Sequence, residues 1–265
     1  MIVSRPARPA RSSPPPGGPG GPVIGWMQAG LSWLMAYQRP FRRRVASDGL
    51  VALAPVSVAY ALAVLLVSAL WRDPGAGHRL VEVCCAWRAA DLARGRPVSL
   101  FGSALLVRRP VEAVWTVTAV WLLLGPLEAM VGSRRLLLLG VLGHAVPTVA
   151  VDLCWLAGTH VGGGLGGLDV GTSAVVVTAA AALAVLTQSA PLATALVTGL
   201  AIDLATTPNL ATVEHLVAAA IGVAGALILR PTPQPQPIPV EPAAAALAGG
   251  ARRAPVGRAG SEETP

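Results

Sequence analysis

Apolar runs of near membrane-crossing length recur through the middle of this chain, and they constrain its fold more than any single motif does. About 20 consecutive apolar residues carry a helix across the hydrocarbon core of a bilayer. Residues 49–71 form the clearest run. Residues 111–131 form a second, interrupted by Gly125-Pro126 and carrying Glu112 and Glu128, and residues 136–157 a third. Residues 173–189 and 191–206 are shorter, the latter with Pro191 in its first turn, where a missing N–H costs nothing. Residues 210–229 are the sixth run, closed by Arg230-Pro231. The expected architecture is an all-α polytopic membrane protein with six transmembrane helices over residues 46–230.

Composition narrows the function classes. Only 12% of the 265 residues are charged and 54% are hydrophobic, against about 25% charged in an average soluble domain. That excludes a soluble enzyme, and it excludes disorder over the whole chain. All 20 basic residues are Arg, and 11 of them lie in the two tails or, for Arg230, at the border of the second, rather than in a stripe interleaved with aromatics, so nucleic acid is not an expected partner. Arg beside an apolar span marks the cytoplasmic side and meets anionic lipid headgroups. Arg42–Arg44, Arg134-Arg135 and Arg230 fall on one side of a six-span chain, which puts both termini in the cytoplasm. The absence of Lys beside abundant Ala, Arg, Gly and Pro reads as GC-rich coding, and the expected location is a bacterial plasma membrane. The loop over residues 72–110 goes against the Arg rule with seven Arg. Its patterned segment, residues 78–96, is expected to lie as an amphipathic helix among the outer headgroups.

The ends read differently. Residues 1–45 are a basic, Pro-rich tail expected to be disordered, with a possible interfacial helix at 23–37 and no signal peptide. Residues 231–265 begin with alternating Pro and continue in Ala, Gly and Arg, an extended and then disordered tail. Three Cys, two of them adjacent, offer neither a disulfide framework nor metal spacing. No HExxH or paired His is present, so no metal or other cofactor is expected.

Ionisable groups within spans are costly and face a protein interior or water. In the six-span arrangement Glu112, Asp152, Asp203 and His215 share a level near the outer surface, with Asp169 and Glu214 close by. These acids are read as partners of loop amides and helix ends, or as cation ligands. Ser173 opens the fourth span at the same level. A serine hydroxyl becomes a nucleophile when a neutral imidazole takes its proton, and a helix start supplies N–H groups suited to an oxyanion. His215, Ala219, Gly222 and Ala226 lie on one seam of small residues, which lets helices approach closely in lipid. Taken singly, Ser173 reads more readily as a helix cap or small packing residue, and His215 as a polar residue bonded inside a bundle.

Taken together, Gly171-Thr172-Ser173-Ala174, His215 with Ala218 and Gly222, and Gly125-Pro126-Leu127-Glu128 followed by Gly132-Ser133-Arg134 resemble the motifs of the rhomboid intramembrane serine proteases. The match covers about residues 49–230. The resemblance implies a nucleophile at Ser173 within the GxSG motif, where Ala174 replaces the final Gly. It implies a base at His215 within HxxGxxxG, where Ala218 replaces a Gly. Gly125, Glu128, Gly132, Ala218 and Gly222 take structural roles, and Gly171 supports the oxyanion. The second-span positions that usually hold His and Asn to support the oxyanion read Glu112 and Thr116 here, and the usual Trp-Arg pair is replaced in register by Val98-Ser99.

The expected function is hydrolysis of a peptide bond in or near the transmembrane helix of a membrane-protein substrate by a Ser173/His215 dyad. Two alternatives stand beside it. One is a catalytically inactive relative that binds or chaperones transmembrane helices, and the other is a small transporter or channel using the acidic outer layer.

Overall fold

The computed structural model describes residues 35, 37–87, 91, 94, 95, 97–157, 171–206 and 209–229. The expected C-terminal tail, most of the expected N-terminal tail, nearly all of the expected interfacial helix at 23–37, and Asp169 lie outside these residues. Among them the chain is helical throughout, with no strand. Four helices are long and apolar enough to cross a membrane, and two further apolar helices are shorter.

Helix α1 spans residues 37–48, reaching into what reads from sequence as a disordered tail. One side of it is buried. Gln38 and Phe41 are enclosed, while Arg39 and Arg42–Arg44 point outward. A single turn, α2 (Leu50–Leu53), follows Gly49, whose φ of 82° favours glycine. The first long helix, α3, covers Pro55–Arg72 and so starts six residues later than the apolar run. Pro55 drives Ala54 out of the helical region, to φ −142° and ψ 58°.

The loop expected to hold one amphipathic helix contains α4 (Ala76–Cys85) and α5 (Pro97–Ser103). Trp87 is buried between them, and its indole N–H donates to Asp152 Oδ2 at 2.7 Å. Asp152 therefore anchors this loop to the bundle.

Helix α6 runs unbroken from Pro110 to Val131. Gly125-Pro126 does not interrupt it. Instead Val120–Leu124 widens into a π turn, a common response to a proline whose N–H is missing. The Leu122 carbonyl, which an N–H at position 126 would have met, accepts a 2.7 Å bond from Gln38 Nε2. Gly125 leaves space for Phe41, since a Cβ there would stand 2.8 Å from its Cζ. One proline thus explains both the π turn and the docking of α1.

Helix α7 covers Ser133–Leu156 with Pro147 inside it. The last three helices are α8 (Thr172–Thr187), α9 (Ala190–Thr206) and α10 (Leu210–Ile228). The middle of α8 is buried on all sides, from Thr178 through Ala184, as a helix without a polar face must be. By contrast Leu62, Leu66, Leu137, Trp115, Val197, Leu227 and Ile228 face outward. In water that surface would be an aggregation liability; against lipid it is the required one.

Helices α8 and α10 approach closely at Gly222, where a Cβ would lie 2.3 Å from the Thr178 carbonyl oxygen. The Thr178 hydroxyl lies 3.0 Å from the Ala218 carbonyl and 3.4 Å from that of Gly143. The latter is the acceptor that Pro147 leaves without its helical donor. At one end of the bundle the buried Glu128 takes the Val56 N–H at 3.0 Å, the Ser57 N–H at 2.8 Å and hydroxyl at 2.7 Å, and the Ser133 hydroxyl at 2.6 Å. It meets the open N–H groups of α3 with a carboxylate, the favourable charge for a helix start. The neighbouring turn between α6 and α7 uses Gly132 at φ 86°.

Candidate active site

The other end of α6 lies about 27 Å of helix away from Glu128, and the polar groups singled out from sequence gather there. Ser173 is the second residue of α8 and is exposed. Its loop is held from behind. The Gly171 N–H donates to the Ser103 carbonyl at 3.1 Å, and the Gly171 Cα lies against the His144 ring, where a Cβ would come within 1.9 Å of Cε1. His144 is itself fixed, with Nε2 2.7 Å from the Leu100 carbonyl and 3.0 Å from the Ser103 hydroxyl. A side chain at position 171 therefore has no room. Its amide is committed to the Ser103 carbonyl. Among the described residues no side chain caps the start of α8, which leaves its first-turn N–H groups at the serine.

His215 stands in the second turn of α10, a helix whose start is set by Asn209 accepting the Thr212 N–H at 3.2 Å. Its Nε2 is 2.9 Å from Ser173 Oγ. Its Nδ1 is 3.0 Å from Asp203 Oδ2 in the last turn of α9. With the proton on Nδ1, that N–H donates to the carboxylate and Nε2 accepts from the serine hydroxyl. The histidine and aspartate side chains are 20% and 31% exposed, so the line of three groups is partly screened yet open to a reactant.

A cavity of about 520 Å³ opens beside the serine between α6 and α8, lined by Arg108, Glu112, Trp115, Thr116, Ser173 and Val176 among others. Thr116 is buried on its wall. Glu112 is near the start of α6, where it accepts the Arg109 N–H at 3.2 Å and lies 3.7 Å from the Arg109 guanidinium. The structure brings Ser173, His215, Thr116 and Glu112 to one place. It sets Gly125, Glu128 and Gly132 at the far end of α6, and Ala218 and Gly222 in the α8–α10 contact.

The acids expected to serve loops or a cation have separate duties. Asp152 holds Trp87, Glu112 holds the start of α6, and Asp203 meets His215. Asp203 is the residue whose level the sequence places but whose contact with His215 it misses. The signal was present, because Asp203 is the only charge in α9 and lies at the helix end where a negative charge is disfavoured. Among the described residues no three His, Cys, Asp or Glu side chains gather as metal ligands would. No family model, curated protein or solved structure matches the chain.

Proposed function

We propose that the chain is a rhomboid-like intramembrane serine protease, with six membrane crossings and both termini in the cytoplasm of a bacterial cell. The reading adds the short helices α8 and α9 to the four long ones as crossings. The observation that carries it is the 2.9 Å approach of His215 Nε2 to Ser173 Oγ across 42 residues of sequence.

In this mechanism Ser173 Oγ attacks a peptide carbonyl carbon while its proton passes to His215 Nε2. First-turn N–H groups of α8, with the Thr116 hydroxyl, receive the developing oxyanion. His215 then returns the proton to the leaving amine nitrogen as the C–N bond breaks. Water, deprotonated by the same imidazole, then adds to the acyl carbon, and the proton passes to Ser173 Oγ as the acyl C–O bond breaks. The substrate is a membrane protein whose helix unwinds to expose a carbonyl to the cavity beside Ser173.

The test incubates the purified protein, in detergent, with a fluorophosphonate probe and a transmembrane substrate. Labelling and cleavage that vanish in both Ser173→Ala and His215→Ala uphold the reading. A serine that takes no label while the protein binds transmembrane helices tightly overturns it. That outcome supports a second reading, an inactive helix-binding relative, favoured by one observation: Glu112, an acid, lines the cavity where an oxyanion would have to be received.

A further inference from the structure

We propose that Asp203 is a positioning residue for His215, making the site a three-membered Ser173–His215–Asp203 relay rather than a dyad. The inference rests on the protease reading for its catalytic part, and on the 3.0 Å contact between Asp203 Oδ2 and His215 Nδ1 for its structural part.

A neutral imidazole has two tautomers, and only one of them leaves Nε2 free to accept the serine proton. A carboxylate at Nδ1 selects that tautomer, fixes the ring plane and stabilises the imidazolium formed during attack. Asp203 has this position. It is the lone charge of a 17-residue apolar helix and lies in the last turn, where the helix dipole opposes a negative side chain. Burying part of a carboxylate there is unfavourable without a partner that gains from it. The two residues, 12 positions apart in the sequence, meet where the last turn of α9 faces the second turn of α10.

The rival role is a staple that holds α9 against α10 and leaves the chemistry alone. Asp203→Asn separates the two, since it keeps the size and a hydrogen bond but loses the acceptor-only character that fixes the tautomer. Nitrogen-15 spectra of histidine-labelled protein in detergent, with the His215 signal assigned by its loss in His215→Ala, read the ring directly. The proton is expected on Nδ1 in the wild type and in Ser173→Ala, and displaced from Nδ1 in Asp203→Asn. Cleavage by Asp203→Asn is expected to lose a factor of about 10² or more in kcat at unchanged KM, in the direction of the roughly 10⁴-fold loss seen when a triad aspartate is made amide elsewhere. Asp203→Glu is expected to restore part of that rate.

An unchanged tautomer and unchanged kcat in a folded Asp203→Asn protein overturn the proposal. If Asp203→Asn fails to fold, a wild-type tautomer and rate in Asp203→Glu and Asp203→Ala overturn it equally. A wild-type protein that cleaves nothing, while its ring tautomer still follows residue 203, overturns the protease reading and upholds the hold of Asp203 on the ring.

Discussion

Gly171 illustrates how a single residue governs the site without taking part in it. Its missing side chain admits the His144 ring, and the ring is anchored to Leu100 and Ser103. Gly171→Ala is expected to cost about 1–3 kcal/mol of stability, the usual penalty for overpacking, measured as a lowered thermal midpoint. It should also slow serine labelling by displacing the start of α8. Glu128 carries the opposite end. Glu128→Gln keeps the shape but weakens charge-assisted bonds to two helix-start N–H groups and two hydroxyls. A loss of about 1–3 kcal/mol is expected in unfolding by denaturing detergent, with the Ser173–His215 contact unaffected. Cys85, in the loop region, is a third case. Burial, and then the neighbouring Cys84, push its thiol above the ordinary range. A raised value means less thiolate at neutral pH, so alkylation of Cys85 should be slow there and accelerate only in alkaline solution. Peptide mapping after alkylation at several pH values checks this, and Cys84→Ser should move the onset to lower pH.

Among the helices, α8 and α10 form the pair on which the site depends. The serine and histidine meet because Gly222 brings the two backbones together and Thr178 bonds across them. Gly222→Ala places a methyl group 2.3 Å from a backbone carbonyl that cannot swing aside. The expected result is separation of the helices and loss of Ser173 labelling by a factor of about 10 or more, since reacting groups tolerate little misplacement. Circular dichroism should show the helix content retained. Thr178→Val tests the polar half of the same contact, with a cost of about 1 kcal/mol, near the typical interhelical hydrogen bond in membranes.

For the molecule as a whole, helix length has a consequence. The 16 residues of α8 span about 24 Å, less than the roughly 30 Å hydrocarbon core. Its serine end is therefore expected below the headgroups, where a peptide carbonyl of a buried helix can meet it. The topology of the proposal is checked by reporter fusions. Alkaline phosphatase joined after residue 91 should be active, and after residue 134 inactive, the reverse holding for a fluorescent cytoplasmic reporter. An inverted pattern would overturn the assigned orientation. Serine labelling is also expected to be faster in thin bilayers than in thick ones, because mismatch at α8 is then smaller.

Local chemistry made much of this legible in advance. Helix-length apolar runs need no tertiary information, because every backbone group within lipid must be satisfied inside its own segment, and the runs accordingly became helices. Ser173, His215 and Glu112 were also readable as one level of the bundle, since a helix turns position in sequence into depth. What sequence did not determine were relations across helices. Pro126 reads as an interruption, yet α6 continues through it because Gln38, 84 positions earlier, satisfies Leu122. Asp203 reads as one of several outer acids, and only the meeting of α9 with α10 aims it at Nδ1 of His215. Depth follows from rise per residue along one helix, whereas facing depends on how neighbouring helices are rotated and how closely they pack, and that is decided only when the bundle forms.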